Sequence, residues 1–174
     1  AVLRFSEIQS GELELKTDIV ELRETLNPQV IAYRNQCLQK GLDFSWYIDR
    51  NVPSHIMLDS EQFVMVLRQL IDNAIKFTHQ GRVAITIGTG WDEVSQQDML
   101  SCSIIDSGDG IPPEQLNSVF SAFQQLDGNS NRCYQGLGIG LPICQQLAAL
   151  MGGKLHIDTQ VGSGTEISFS IPLQ

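Results

Sequence analysis

Ile104-Ile105-Asp106-Ser107-Gly108-Asp109-Gly110-Ile111-Pro112 joins an apolar run to a carboxylate and then to two glycines. The run reads as a strand that ends at Asp106, and a strand end can deliver a side chain to the floor of a pocket. Glycines without a Cβ let a planar ligand or a phosphate chain lie against the main chain. Asp106 is then a candidate purine reader, because a carboxylate accepts a hydrogen bond from an exocyclic amine. Taken alone, the same Asp-Ser-Gly-Asp-Gly is also ordinary turn chemistry, and the rest of the chain has to separate the two readings.

Downstream of this junction, Pro112 and Pro113 open an expected helix with Leu116, Val119, Phe120 and Phe123 on one face. Residues 126–135 are polar and aperiodic, with Gly128, Asn129, Ser130 and Asn131 at their centre, the pattern of a lid over a ligand. Gly136-Leu137-Gly138-Ile139-Gly140-Leu141-Pro142 then leads into a helix with Ile143, Leu147, Leu150 and Met151 on its apolar side, stopped by Gly152-Gly153. Glycines ahead of a helix expose N–H groups and the positive end of its dipole to an anion. This run is not a Rossmann fingerprint, since its third glycine comes one residue early, and no P-loop is present. Residues 155–158 and Ile167, Phe169, Ile171 read as two strands of a hairpin turning through Gln160-Val161-Gly162-Ser163-Gly164.

Upstream, Val83, Ile85 and Ile87 alternate as a strand, and residues 91–98 read as a polar connection. Asp59 opens a helix to about Thr78, with Phe63, Val66, Leu67, Leu70, Ala74 and Phe77 on its buried face. Gln69, Asn73 and Lys76 form a polar stripe at the edge of that face. It is either a solvated flank or a cleft wall on which Asn73 ligates a hard cation and Lys76 meets phosphate oxygens. Residues 42–48 read as a strand, preceded by a helix that starts near Asp18 and Glu21 at capping-box spacing, carries Leu22, Leu26, Val30, Tyr33 and Cys37, is kinked or restarted by Pro28, and ends at Lys40-Gly41. Val2, Leu3, Phe5 and Ile8 have helical spacing, stopped by Gly11.

The 174 residues suit one domain with a real core, and 42% hydrophobic with 18% charged residues is globular composition. Eleven basic against 20 acidic residues, a net charge of -9, argues against a nucleic-acid partner. No apolar run is long enough to span a bilayer, so no direct membrane contact is expected. Cys37, Cys102, Cys133 and Cys144 are scattered without a Cys-x-x-Cys pair and read as reduced structural residues, and His55, His79 and His156 are equally isolated.

Together these motifs resemble the catalytic and ATP-binding domain of sensor histidine kinases, a branch of the superfamily that includes gyrase, Hsp90 chaperones and the MutL proteins. Residues 67–78 (LRQLIDNAIKFT) are similar to its N box, 106–110 to its first glycine box, 120–123 to its F box, 136–141 to its second glycine box and 162–165 to its last. The resemblance implies an α/β (α+β) two-layer sandwich, the Bergerat ATP-binding fold, with helices on one face of a mixed sheet. Residues 1–10 would end a dimerisation helix and linker, and 11–174 would form the catalytic and ATP-binding domain. It further implies Asp106 on the adenine amine, Asn73 and Gln69 on Mg²⁺, and Lys76 on phosphate. Phe77 would lie against the nucleotide with Ile111 and Leu141 beside it, Gly108 and Gly110 under the base, Gly136, Gly138 and Gly140 at the phosphates with Arg132 on the lid, and Thr165 at the adenine edge.

The expected chemistry is phosphoryl transfer from ATP to a histidine upstream of residue 1, so no catalytic histidine is expected within the chain. Expected partners are the protein's own dimerisation and phospho-acceptor domain, in a homodimer, and the receiver domain of a response regulator. The expected setting is the cytoplasmic part of a larger membrane-anchored bacterial sensor. Gln69, Gln135 and Leu137 depart from the family pattern, and they motivate an alternative: a degenerate module that regulates another kinase by docking.

Overall fold

A computed structural model of the chain describes residues 10–110 and 140–173. The helix expected from Pro112, the pair Phe120 and Phe123, the lid, Cys133, Arg132, Ile111, Gln135, Gly136, Leu137 and Gly138 lie outside the described residues, as do residues 1–9.

The order of elements is β1 (Asp18–Glu21), α1 (Leu22–Lys40), β2 (Asp43–Ile48), β3 (His55–Leu58), α2 (Ser60–Phe77), β4 (Arg82–Asp92), β5 (Gln97–Asp106), α3 (Gly140–Leu150), β6 (Lys154–Gln160) and β7 (Gly164–Pro172). Five strands form a mixed sheet in the order β2-β4-β5-β7-β6, with β2 parallel to β4 and every other pair antiparallel. A separate two-stranded sheet pairs β1 with β3. The two-layer sandwich expected from the sequence is what the chain forms.

Alternation explains the layering. Val83, Ile85 and Ile87 on β4, Leu100, Cys102 and Ile104 on β5, and Ile167, Phe169 and Ile171 on β7 are all buried on one face. Against that face α2 lays Phe63, Val66, Leu67, Leu70, Ile71, Ala74 and Ile75, all buried in the same core. The Phe63 and Phe169 rings meet across the layers with centroids 5.6 Å apart. α2 also packs on α3, and α1 packs on β2 and α2.

The helix ends follow their caps. The Asp59 carboxylate accepts from the N–H of Gln62 at the start of α2 and, through its other oxygen, from the N–H of Lys16. Gly41 closes α1 at φ +77, its N–H bonded to the Leu38 carbonyl while Leu42 reaches the carbonyl of Cys37. Lys40, at that same end, donates its ammonium to the carbonyls of Ile75 and Lys76 at the end of α2.

Four expectations need correction. Asp18 does not open a helix: residues 18–21 are extended and pair with β3, which the sequence reading did not separate, and the cap is Glu21, whose carboxylate accepts from the N–H of Glu24 at 2.6 Å. β-Branched Ile19 and Val20 favour that extended start. Pro28 does not restart α1, which runs unbroken from Leu22 to Lys40; Pro28 is exposed, so water can serve the carbonyl that lacks its N–H. The connection expected over 91–98 shrinks to residues 93–96, because Trp91 pairs with Asp98 and Asp92 with Gln97. The Asp92 carboxylate accepts from both the N–H and the hydroxyl of Ser95 and so caps the tip, where Val94 is 93% exposed. Leu150 is exposed instead of facing the core, and Cys144 and Ala148 are buried beside Ile143 and Leu147 in α3.

Candidate functional site

A cavity between the layers is lined by Asn73, Ala74 and Phe77 from α2, Asp106 and Gly110 at the end of β5, Leu141 from the first turn of α3, and Thr165 and Ile167 from β7. Two layers contribute to it: the helices supply one wall and the strand ends the other.

Asp106 reaches this floor by strand alternation. It continues the inward series of Leu100, Cys102 and Ile104, so a carboxylate occupies the last core-facing place of β5. It is only 8% exposed, and burial pushes its carboxyl up from the ordinary value, while the backbone N–H groups of Gly108 and Thr165 pull it partly back. The Gly108 N–H donates to Oδ1 at 2.9 Å and fixes the aim of the group.

Thr165 stands directly opposite Asp106 in the β5–β7 ladder and is also buried. Its hydroxyl lies 2.9 Å from that of Thr159, opposite it on β6. Two polar side chains thus share the floor of a cavity walled mainly by apolar residues, an arrangement that orients one flat polar ligand.

Asn73 faces the same cavity from α2, and its side-chain nitrogen is buried without a hydrogen-bond partner. An amide left so in the interior is costly unless a ligand completes it. Lys76 is exposed and holds its ammonium 5.8 Å from the centroid of the Phe77 ring, beside the cavity wall. Gly140 starts α3, whose first turn carries no acidic side chain. Gln69 does not line this cavity; it lines a second, open groove with Thr25, Ser60, Glu61, Val64, Met65, Arg68 and Asp72. Among the described residues no group of three or more His, Cys, Asp or Glu could hold a metal ion.

Gly110 lines the cavity, and both glycines of the loop after β5 also pass close to neighbouring backbone. A Cβ on Gly108 would come within 2.5 Å of the Phe77 carbonyl oxygen, and one on Gly110 within 2.4 Å of the Gln160 carbonyl oxygen. Their bareness serves close passage of backbone against backbone, tying the loop after β5 to the end of α2 and to the β6–β7 turn. The Gly162 N–H donates to the Asp109 carbonyl at 2.8 Å and strengthens the second tie. Sequence reasoning also missed Ile167 as a wall residue and Thr159 behind Thr165; the register of the expected hairpin could have paired Thr159 with Thr165.

The chain belongs to the family described as histidine kinase-, DNA gyrase B- and HSP90-like ATPases, whose profile matches residues 58–174. Within that family its similarity is to histidine kinases. It is 33% identical over 171 residues to hybrid signal transduction histidine kinase B of Dictyostelium discoideum, covering 98% of this chain and 9% of that protein. It is 31% identical over 172 residues to the sensor histidine kinase RcsC of Escherichia coli K12, covering 99% of this chain and 18% of that protein. The crystal structure of full-length ShkA in complex with AMPPNP superposes with a TM-score of 0.77 at 27% identity, covering 99% of this chain and 34% of that one. The chain thus spans less than a fifth of the length of either curated relative.

Proposed function

We propose that the chain is the ATP- and Mg²⁺-binding catalytic domain of a two-component sensor histidine kinase. It passes the γ-phosphoryl group of ATP to a histidine on a dimerisation domain, from which a response-regulator receiver domain takes it. The observation that carries this reading is the buried Asp106–Thr165 pair at the floor of the cavity, with the unpaired Asn73 side-chain nitrogen on the wall above.

An ionised Asp106 accepts from the 6-amino group of adenine, and Thr165 meets the edge of the same ring. Phe77 and Ile167 supply apolar contact to the base. Asn73 would hold Mg²⁺ through its amide oxygen, leaving its unpaired nitrogen to donate to the ligand, and the ion when bound would neutralise charge on the phosphates; Lys76 adds a donor beside the cavity. The protein's share of the chemistry is placement: it holds the γ-phosphate for in-line attack by a histidine that another domain presents. ATP places the working site on the cytoplasmic side of a cell, and among the described residues no helix is long and apolar enough to cross a membrane.

Calorimetric titration with ADP and ATP, with and without Mg²⁺, tests the proposal. A dissociation constant between roughly 10 μM and 1 mM is expected, since cellular ATP is abundant. Asn73→Ala should lose the Mg²⁺-dependent part of the affinity. Absence of binding at millimolar nucleotide, in a protein that still melts cooperatively, would replace the kinase reading with the docking-module alternative.

A further inference from the structure

The last register pair between β4 and β5 is Val83 with Asp106, and the next facing pair is Arg82 with Ser107. There the ladder changes character. The Ser107 N–H still donates to the Arg82 carbonyl at 3.1 Å, but the Arg82 N–H donates at 2.9 Å to the Ser107 hydroxyl oxygen instead of to the Ser107 carbonyl. The hydroxyl in turn lies 3.4 Å from the Arg82 carbonyl, to which it donates. A side chain has taken the place of a main-chain acceptor, which satisfies Arg82 and releases the peptide after Ser107 from the sheet.

Room for that hydroxyl is made by Gly81, where a Cβ would stand 2.0 Å from Ser107 Oγ and where φ is +112. The Gly81 carbonyl also accepts from the N–H of Asp43 at 2.9 Å, so the turn between α2 and β4 is anchored to β2 as well. The released backbone turns at once to Gly108, whose N–H holds Asp106 Oδ1 and whose bare Cα passes the Phe77 carbonyl.

We infer that Ser107 is a positioning residue that ends β5 at Asp106 and so sets the aim of the Asp106 carboxylate, making the site prefer a 6-amino purine over a 6-oxo purine. The inference rests on the nucleotide-binding reading above and deepens it. Without the hydroxyl, the Arg82 N–H loses its acceptor, the turn at Ser107 loosens and the Gly108 N–H no longer holds the carboxylate in place. Ser107 touches no reacting atom and acts only through Asp106 and Gly108.

The test compares wild type, Ser107→Ala and Ser107→Thr by competition binding of ADP and inosine diphosphate, and by amide exchange of Arg82 and Gly108 in the ligand-free protein. In Ser107→Ala the ADP affinity should fall about 3- to 10-fold, as the loss of one positioning hydrogen bond implies. Its preference for ADP over inosine diphosphate should shrink by a similar factor, and both amides should exchange faster; Ser107→Thr, which keeps the hydroxyl, should restore all three. Equal weakening of both nucleotides, or an unchanged preference, would overturn the inference. If wild type binds neither nucleotide the binding reading fails, and slow, wild-type exchange at Arg82 in Ser107→Ala would separately sink the hydroxyl clamp.

Discussion

Asp106 occupies a core-facing position at the end of a strand, and that location sets both its use and its cost. Its raised carboxyl means that folding disfavours the ionised form. The resulting contribution to stability is present below the ordinary carboxylate value of 3.8 and is lost as pH rises through the raised folded value. At neutral pH the ligand-free domain therefore carries an ionised group it would be more stable without. Asp106→Asn, which keeps an oxygen for the Gly108 N–H, should raise the melting temperature at pH 7 and give no gain at pH 3. The same variant should bind ADP about 10- to 100-fold more weakly, because an amine hydrogen bond to a charged acceptor is lost. In wild type, nucleotide affinity should decline on acidification at a higher pH than an ordinary carboxylate dictates, and Asp106→Asn should lack that decline; titrations across pH 4 to 8 check both. Thr165 came only through the family resemblance, whereas Asp106 and Asn73 were legible as candidates because one ends a strand and the other edges a helix face. Ser107 and Thr159 were not, because their partners are hydroxyl and backbone groups that no periodicity marks.

At the level of elements, what decides the site is how closely three backbones pass one another. The loop after β5 touches the end of α2 through Gly108 and the β6–β7 turn through Gly110 and Gly164, the last with a Cβ position 2.0 Å from the Asp106 carbonyl oxygen. Gly108→Ala should therefore push the loop away from Phe77, with a loss of about 1–3 kcal/mol in denaturant unfolding and weaker ADP binding. A wild-type unfolding midpoint would show that the loop yields at no cost. These contacts give the glycines a second use beside the cavity: a missing Cβ signals close approach without saying to what. α2 was legible to its cap because Asp59 and an eighteen-residue apolar period agree. β1 and β3 were not, since each has four residues and is defined only by a partner more than 30 positions away.

For the whole molecule, one continuous core joins α1, α2, α3 and the large sheet. Leu22, Leu26, Tyr33 and Cys37 of α1 belong to the same cluster as Phe169 of β7. Phe169→Ala should cost about 3–5 kcal/mol, and it should lower the stability of both layers in a single transition. Circular dichroism at 222 nm and tryptophan fluorescence should then give coincident melts; separate melts would mean that the helical layer and sheet are independent units. The β4–β5 hairpin carries a further consequence. Its tip at Val94 and the carboxylate at Asp106 sit at opposite ends of β5, ten residues long, which puts them roughly 30 Å apart. A fluorophore or spin label attached at Val94 would ride on the hairpin clear of the cavity, making this tip a natural vantage point for following the domain's movement without perturbing Asp106.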